Sequence, residues 1–238
     1  MVTELGSEAP HSPRIARRRA RTRERILDTA ERAFGAGYRN VRVEDLAEAA
    51  DVSIGTLYVH FGSKDGVYLA LVERALEQMA AYLDRAYRPE YSPLEQVIAA
   101  GDVYLRFHLE HPGLFQFLAF DTVLGELPAE VREIQQRVGE RLEEVIGGFQ
   151  ARIEAAVAAG QADHRYDART TARFLWGAWN GVVSLGRRED RMALTDEEIA
   201  ACLQLGRRLV RDGLTAPAHR DQDGYSLARI VSIDQPAS

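Results

Sequence analysis

The sequence contains one cysteine and one lysine in 238 residues. The lone Cys202 cannot form an intramolecular disulfide, and a cysteine-rich zinc site is excluded as well. The longest uncharged apolar run, Phe174–Gly186, is shorter than the ~20 residues that a membrane-spanning helix needs. No apolar segment follows the first charges, so we expect no secretory signal. These absences predict a cytoplasmic protein without a transmembrane segment. They leave a small histidine and carboxylate metal site open, but we expect neither a metal nor a cofactor.

Strand signals are also scarce, because apolar and polar residues do not alternate over any sustained stretch. Apolar residues recur instead at helical spacing, which predicts an all-α fold. Residues 1–13 and 216–238 lack this periodicity, and we predict that both segments are disordered. Between them, three short helices in residues 14–64 precede a larger helical domain in residues 65–215.

The charge is unevenly distributed along the chain. Ten arginines and three acidic residues lie between Pro10 and Arg42, so this segment carries +7 while the whole chain carries −6. A basic segment on an acidic protein is typical of contact with a polyanion, either nucleic acid or an anionic membrane surface. A solvated helix face is the simpler alternative.

The second and third predicted helices are separated only by residues 51–53, which is the spacing of a helix-turn-helix motif. Apolar residues of this region can form a small core. They are Leu46, Ala47, Val52, Leu57 and Phe61. Thr56, Tyr58 and His60 remain as polar residues on a helix of about two turns. Such side chains can hydrogen-bond phosphate oxygens or base edges, and Lys64 adds a positive charge nearby.

Three segments resemble the DNA-binding domain of TetR-family transcriptional regulators. They are RERILDTAERAFGAGY (23–38), VEDLAEAA (43–50) and ADVSIGTLYVHFGSK (50–64). The resemblance covers roughly residues 20–68, and beyond them only the length and the helical second half are similar. It implies a homodimer with an N-terminal helix-turn-helix domain and a larger domain for effector binding and dimerisation. We expect a repressor, because a dimer seated on a promoter blocks polymerase without needing an activating surface. We expect it to bind an inverted-repeat operator and to be released by a small, mostly apolar effector.

The same resemblance implies a DNA-binding role for individual residues. It assigns DNA contacts to four residues of the third helix, Gly55, Thr56, Tyr58 and His60. It places Lys64 at the family's phosphate-binding lysine. Thr22 matches a threonine or serine often seen near the DNA backbone at the start of the first helix.

Three residues depart from the family pattern. Asp51 replaces the usual turn glycine, and aspartate tolerates the left-handed conformation better than most residues. Arg42 replaces a helix-capping threonine, which exchanges a cap for a phosphate contact. Ile54 replaces a frequent lysine or arginine, so it either contacts a thymine methyl group or adds packing to the small core.

The second domain offers a candidate effector site, because aromatic residues cluster around His111-Pro112 and on a later helix. The candidate ligand-binding residues are Tyr104, Phe107, His108, Phe115, Leu118, Asp121, Trp176 and Trp179. His108 and Asp121 are the polar members of this set. A filled hydrophobic core is the alternative for each residue taken singly.

The last two predicted helices are candidates for the dimer interface. The resemblance favours pairing of 172–185 and 202–210 with the partner chain, and internal packing is the alternative.

No catalytic constellation or phosphate-binding loop is found, so we do not expect an enzyme. The alternative class of protein is a peripheral membrane or scaffold protein that binds anionic lipid through its arginines. Lipid binding would not require Thr56, Tyr58, His60 and Lys64 at helix-turn-helix spacing.

Overall fold

A computed structural model describes residues 13–35, 37–119 and 129–234. These ranges contain nine α-helices and no β-strand, which confirms the predicted all-α fold. The helices are α1 (Pro13–Phe34), α2 (Val43–Ala49), α3 (Ile54–Phe61), α4 (Lys64–Ala86), α5 (Pro93–Glu110), α6 (Pro112–Ala119), α7 (Arg132–Ala158), α8 (Ala168–Ser184) and α9 (Asp196–Leu214). No helix in the described part of the chain is long and apolar enough to cross a membrane.

The helices begin where side chains can accept hydrogen bonds from their first backbone amides. Ser63 caps α4 and Asp167 caps α8, each by accepting from an amide three residues later. Ser92 and Thr195 begin α5 and α9 with complete capping boxes, because a glutamate three residues on returns a hydrogen bond to each cap residue. Each of these caps depends on residues only three positions apart, so the sequence by itself indicates where the four helices begin.

Helices α1 to α3 and the start of α4 form the first domain around a small core. Leu46, Leu57 and Phe61 are buried there against Ile26 and other residues of α1. The turn from α3 into α4 is tight, since a Cβ atom on Gly66 would lie 1.8 Å from the Phe61 carbonyl oxygen. Only glycine permits this approach, which sets the direction in which α4 leaves the first domain.

The second domain is a helical bundle in which α5 lies centrally. Helix α5 packs against α4, α7 and α9, and α8 packs against α7 and α9. The short α6 contacts α1 as well as α4, α5 and α8, so it touches both domains.

Residues 216–234 differ from the predicted disordered tail, because they pack against α5 and α9. Val231 and Ile233 are buried, and the Arg207 guanidinium donates a hydrogen bond to the Val231 carbonyl. Asp102 Oδ2 accepts from the Ile233 amide at 3.0 Å, and Asp102 also pairs with Arg207 at 2.8 Å. A segment without helical periodicity is thus held in place by a buried ion pair between a residue of α5 and a residue of α9. Residues 1–12 and 235–238, also predicted to be disordered, lie outside the described residues.

Candidate DNA-binding surface and effector cavity

The turn between α2 and α3 positions the candidate DNA-binding helix. Asp51 adopts φ +50°, the left-handed conformation that glycine usually fills and that the sequence led us to expect here. The Val52 amide donates to the Ala47 carbonyl at 3.0 Å and closes the turn. Ser53 Oγ then accepts from the Thr56 amide at 3.1 Å, so α3 begins with its first turn capped.

One side of α3 is buried and the other is open. Leu57 and Phe61 face the core of the first domain. The exposed residues of α3 are Ile54, Gly55, Tyr58 and Val59. Ile54 is 42% exposed, so it does not serve as a core residue. The open side of α3 is therefore mostly apolar, with the Tyr58 hydroxyl as its polar group.

Val59 is 73% exposed and was not among the residues assigned to DNA by the resemblance. Two other apolar residues of this eight-residue helix, Leu57 and Phe61, already fill the small core. Val59 follows Gly55 by four positions, which places both on the same helical face. An apolar residue that lies outside the buried side of such a short helix was the signal available in the sequence.

Thr56 and His60 are partly buried at the edges of the open face. The Thr56 hydroxyl lies 2.8 Å from Ser53 Oγ. Burial lowers the pKa of His60, and the positive charges of Arg19 and Arg23 lower it further. His60 is therefore neutral at pH 7 and offers a hydrogen-bonding imidazole rather than a cation.

Lys64 is tied to its own domain rather than standing free. Its Nζ atom donates to the backbone carbonyls of Tyr38 and Val41 at 3.1 and 3.0 Å. It also lies 4.1 Å from the centre of the Tyr38 ring, a cation–π distance. The structure thus gives this lysine a second role that the sequence did not indicate, which is to join α4 to the loop before α2.

Thr22 and Arg42 belong to different helices of the first domain. Thr22 is half-buried on α1, next to exposed arginines. Arg42 is the N-cap residue of α2, but its side chain does not cap the helix. Its Nε atom lies 3.5 Å from the Glu44 carboxylate, and the side chain is largely exposed.

The N-terminal part of α1 has an arginine-rich face that is exposed to solvent. Residues 13–21 are all exposed. Arg14, Arg17, Arg18 and Arg21 recur at intervals of three or four residues, so they share one side of the helix. The sequence showed the positive charge of this segment, but the family resemblance gave these arginines no individual DNA-binding role.

The aromatic residues of the second domain come together as one cluster. Tyr104 is central, with its ring centre 5.5 Å from that of Trp176, 4.8 Å from that of Trp179 and 5.7 Å from that of Phe115. Phe107 and His108 also pack against Phe115, with ring centres 5.9 and 5.4 Å from its own. Six of the eight predicted ligand-binding residues are therefore neighbours.

The structure does not place the other two predicted ligand-binding residues in this aromatic cluster. Leu118 is partly buried against the core, and Asp121 lies outside the described residues. His108 is buried, and its Nε2 atom lies 3.5 Å from the Asp196 carboxylate.

A small cavity lies beside Tyr104, Trp176 and Trp179, between α4, α5, α7 and α8. It is also lined by Leu83, Ala100, Val145, Ile146 and Phe149. Its volume is about 10 Å³, which is no more than one water molecule needs. The aromatic side chains thus fill most of the space around it.

The comparisons with known proteins cover both domains. Residues 26–71 match the family model described as bacterial regulatory proteins of the tetR family, and residues 97–210 match the tetracyclin repressor-like C-terminal domain. The chain belongs to the TetR family. Members of this family are DNA-binding transcriptional regulators, often repressors, so the predictions of a helix-turn-helix regulator and of a protein that is not an enzyme are confirmed.

Two curated TetR-family relatives match part of the chain. The HTH-type transcriptional repressor KstR of Mycolicibacterium smegmatis is 38% identical over 96 residues, 40% of this chain and 43% of its own. The HTH-type transcriptional regulator RutR of Escherichia coli is 36% identical over 86 residues, 36% of this chain and 38% of its own. The chain therefore spans less than half the length of these relatives.

Solved structures share the fold over most of the chain. The fatty acid degradation regulator FadR of Bacillus halodurans has a TM-score of 0.64 at 17% identity and covers 86% of this chain and 96% of its own. A TetR-family transcriptional regulator from Agrobacterium tumefaciens has a TM-score of 0.64 at 18% identity, with coverage of 83% and 100%. At these identities the likeness shows a common fold.

Proposed function

We propose that this TetR-family protein is a cytoplasmic repressor that binds an inverted-repeat operator as a homodimer and leaves it when a small, mostly apolar effector binds. The observation that carries the proposal is the open face of α3. This helix is capped at its start, and its opposite side is held by packing in the core of the first domain. A two-fold dimer would present two such helices to half-sites about one helical turn apart, ~34 to 36 Å. Palindromy of the operator follows from that symmetry.

The side chains of α3 divide into two chemical groups. Ile54 and Val59 are exposed apolar residues, which suits contact with thymine methyl groups in the major groove. Gly55 lets the backbone approach DNA closely, because a side chain is absent. Thr56, Tyr58 and His60 supply hydrogen bonds to phosphates or base edges.

Phosphate contacts are assigned to residues around α3. Thr22 and Lys64 keep the roles that the family resemblance implies, and Arg42 keeps the phosphate contact inferred from its departure from the family pattern. The arginine face of α1, Arg14 to Arg21, extends the positive surface next to Thr22. Such contacts supply affinity for any DNA sequence and make it salt-dependent. An anionic lipid surface is the weaker alternative, because it makes no use of the open face of α3.

The dimer interface is assigned to α8 and α9. These helices form an open apolar groove of about 670 Å³ on the surface. Phe174 of α8 is 69% exposed and Leu209 of α9 is 64% exposed, and Leu205 lies exposed beside them. Large apolar side chains grouped in this way are typical of a surface that is covered by a partner.

Effector control is assigned to the aromatic cluster around Tyr104. A ligand shifts the dimer only by its different affinity for the DNA-competent and DNA-incompetent arrangements. A coupling of ~1 to 3 kcal/mol changes operator affinity about 5- to 150-fold. Helix α6 offers a route for this coupling, since it contacts the cluster and the first domain.

Binding-site selection from random duplexes, followed by sedimentation of the free and bound protein, tests the proposal. We expect a palindromic consensus and a dimer at micromolar concentration. Phe174→Glu or Leu209→Glu should give monomers, because each places a charge in the apolar groove. Met192→Glu is the matched control, since Met192 is exposed but outside the groove. A monomer that shows no preference for any inverted repeat contradicts the proposal.

A further inference from the structure

Two buried tyrosine hydroxyls in the second domain have no hydrogen-bond partner among the described residues. They belong to Tyr87, which follows α4, and to Tyr104, in α5. Tyr104 is 2% exposed and lines the cavity between α4, α5, α7 and α8. Proteins rarely retain a buried donor without a partner, because its desolvation is not compensated. Two such hydroxyls in one region point to a group that binds them.

Arg152 on α7 supplies a third unused donor, which lies beside Tyr87. Its guanidinium carbon lies 4.9 Å from the centre of the Tyr87 ring. Its Nε atom is buried, and none of the described residues accepts a hydrogen bond from it. No carboxylate of the described chain lies within ion-pair distance of Arg152. Arg152 therefore brings a positive charge that no described carboxylate offsets at contact distance.

The chemistry of the two hydroxyls and the guanidinium indicates which class of ligand they would bind. Burial raises the pKa of Tyr104 and of Tyr87, so both hydroxyls stay protonated and act as donors. Two hydroxyls and a guanidinium N–H are complementary to an anionic group with several acceptor lone pairs, such as a carboxylate. The walls next to Tyr104 are apolar, including Leu83, Val145 and Phe149, which suits a hydrocarbon or aromatic body.

We propose that this cavity binds an apolar monocarboxylate whose carboxylate accepts hydrogen bonds from Tyr87, Tyr104 and Arg152. Of the three donors only Tyr104 lines the cavity of about 10 Å³, so the ligand has to enlarge the cavity toward Tyr87 and Arg152 by displacing side chains of the cluster. Ile146 and Trp176 are the only partly exposed residues of its lining, so entry lies between α7 and α8. A change in operator affinity on ligand binding rests on the effector control proposed above, whereas the binding of the ligand itself does not.

The test compares three probes that share one chain and differ in their head group: decanoate, 1-decanol and decylamine. Binding to the full chain is followed by calorimetry and by the fluorescence of Trp176 and Trp179. We expect decanoate to bind about tenfold or more tightly than the other two, because only its head group matches three donors and a positive charge.

Three variants identify the residues that recognise the head group. Tyr104→Phe and Arg152→Gln should each weaken decanoate binding about tenfold and leave 1-decanol binding unchanged. Arg169→Gln removes one arginine from an exposed position of α8 and should change neither. Tyr104→Phe removes only a hydroxyl without a partner, so its melting temperature should equal or exceed that of the parent chain.

Equal binding of the three probes overturns the proposal, and so does an Arg152→Gln effect that is the same for acid and alcohol. A chain that binds its operator but none of the probes also overturns it, while leaving the DNA-binding function standing. Selective decanoate binding without any change in operator affinity supports the site and contradicts the effector control.

Discussion

Phe115 and Phe117 lie two residues apart on α6 and face different domains. The Phe115 ring centre is 5.7 Å from that of Tyr104 in the aromatic cluster. The Phe117 ring centre is 5.2 Å from that of Tyr68 and 6.5 Å from that of Phe34, both in the core shared with the first domain. Residues two apart on an α-helix project about 200° from each other around its axis. One helix of eight residues therefore joins the candidate effector cavity to the DNA-binding domain.

Alanine substitutions at these two positions should loosen different parts of the molecule. Phe117→Ala should increase amide hydrogen exchange mainly in α1 and α4, and Phe115→Ala mainly in α5 and α8. Each should lower the free energy of unfolding by ~3 to 5 kcal/mol, because each deletes a buried ring. Hydrogen exchange read by mass spectrometry checks this. The same exchange pattern in both variants would show that α6 does not separate the two sides.

The arginine face of α1 should contribute affinity for DNA without contributing stability. The double variant Arg14→Gln/Arg18→Gln should lower the slope of log affinity against log salt by nearly two units, if both contact phosphates. The melting temperature should not change, since both side chains are exposed. Arg169→Gln/Arg191→Gln removes the same charge from exposed sites in the second domain and serves as the control. Equal slopes in the two double variants would exclude α1 from the DNA contacts.

Lys64 should affect both folding and DNA binding. Lys64→Met removes the hydrogen bonds to the Tyr38 and Val41 carbonyls, so the free energy of unfolding should fall by ~1 to 3 kcal/mol. The salt slope of DNA binding should fall by about one unit because a charge is lost. Urea unfolding and salt titration measure the two effects. A loss of stability with an unchanged slope would remove Lys64 from the DNA-binding residues.

The ion pair between Asp102 and Arg207 should be essential for the packing of the C-terminal segment. Asp102→Ala leaves the buried Arg207 without its carboxylate and removes the acceptor of the Ile233 amide. We expect a loss of ~3 to 5 kcal/mol in the free energy of unfolding, measured by urea unfolding. Asp190→Ala breaks an exposed pair with Arg188 and should leave the free energy of unfolding nearly unchanged, because solvent screens that pair. Similar losses in both variants would contradict this account.

The effect of substituting the turn residue Asp51 should depend on how well the new residue tolerates a positive φ. Asp51→Gly should leave stability within ~1 kcal/mol of the parent chain, whereas Asp51→Val should lower it by ~1 to 2 kcal/mol because a β-branched residue is strained at φ +50°. Thermal unfolding of both variants measures the difference. A valine variant as stable as the glycine variant would show that the turn rearranges.

Local features of the sequence determined the helices and the motif. Helix caps at Ser63 and Asp167 and the apolar stripe from Ile26 to Phe34 depend on residues a few positions apart, so they can be read directly from the order of residues. The same holds for the three-residue turn before α3, whose geometry is set by Asp51 and the residues beside it. These short-range relationships predicted the all-α fold and the open helix of the DNA-binding domain.

Tertiary structure alone decided the relationships between distant residues. Arg207 and Asp102 meet across two helices, and the pair binds a segment that has no periodicity of its own. Lys64 reaches the carbonyls of a preceding loop, and Val59 becomes an exposed residue only once Leu57 and Phe61 have filled the core. Tyr87 and Arg152 are 65 positions apart in the sequence and come together only because α4 packs against α7. Hydrogen bonds and burial of this kind depend on how helices pack, and helix packing is a property of the whole folded chain rather than of any short segment.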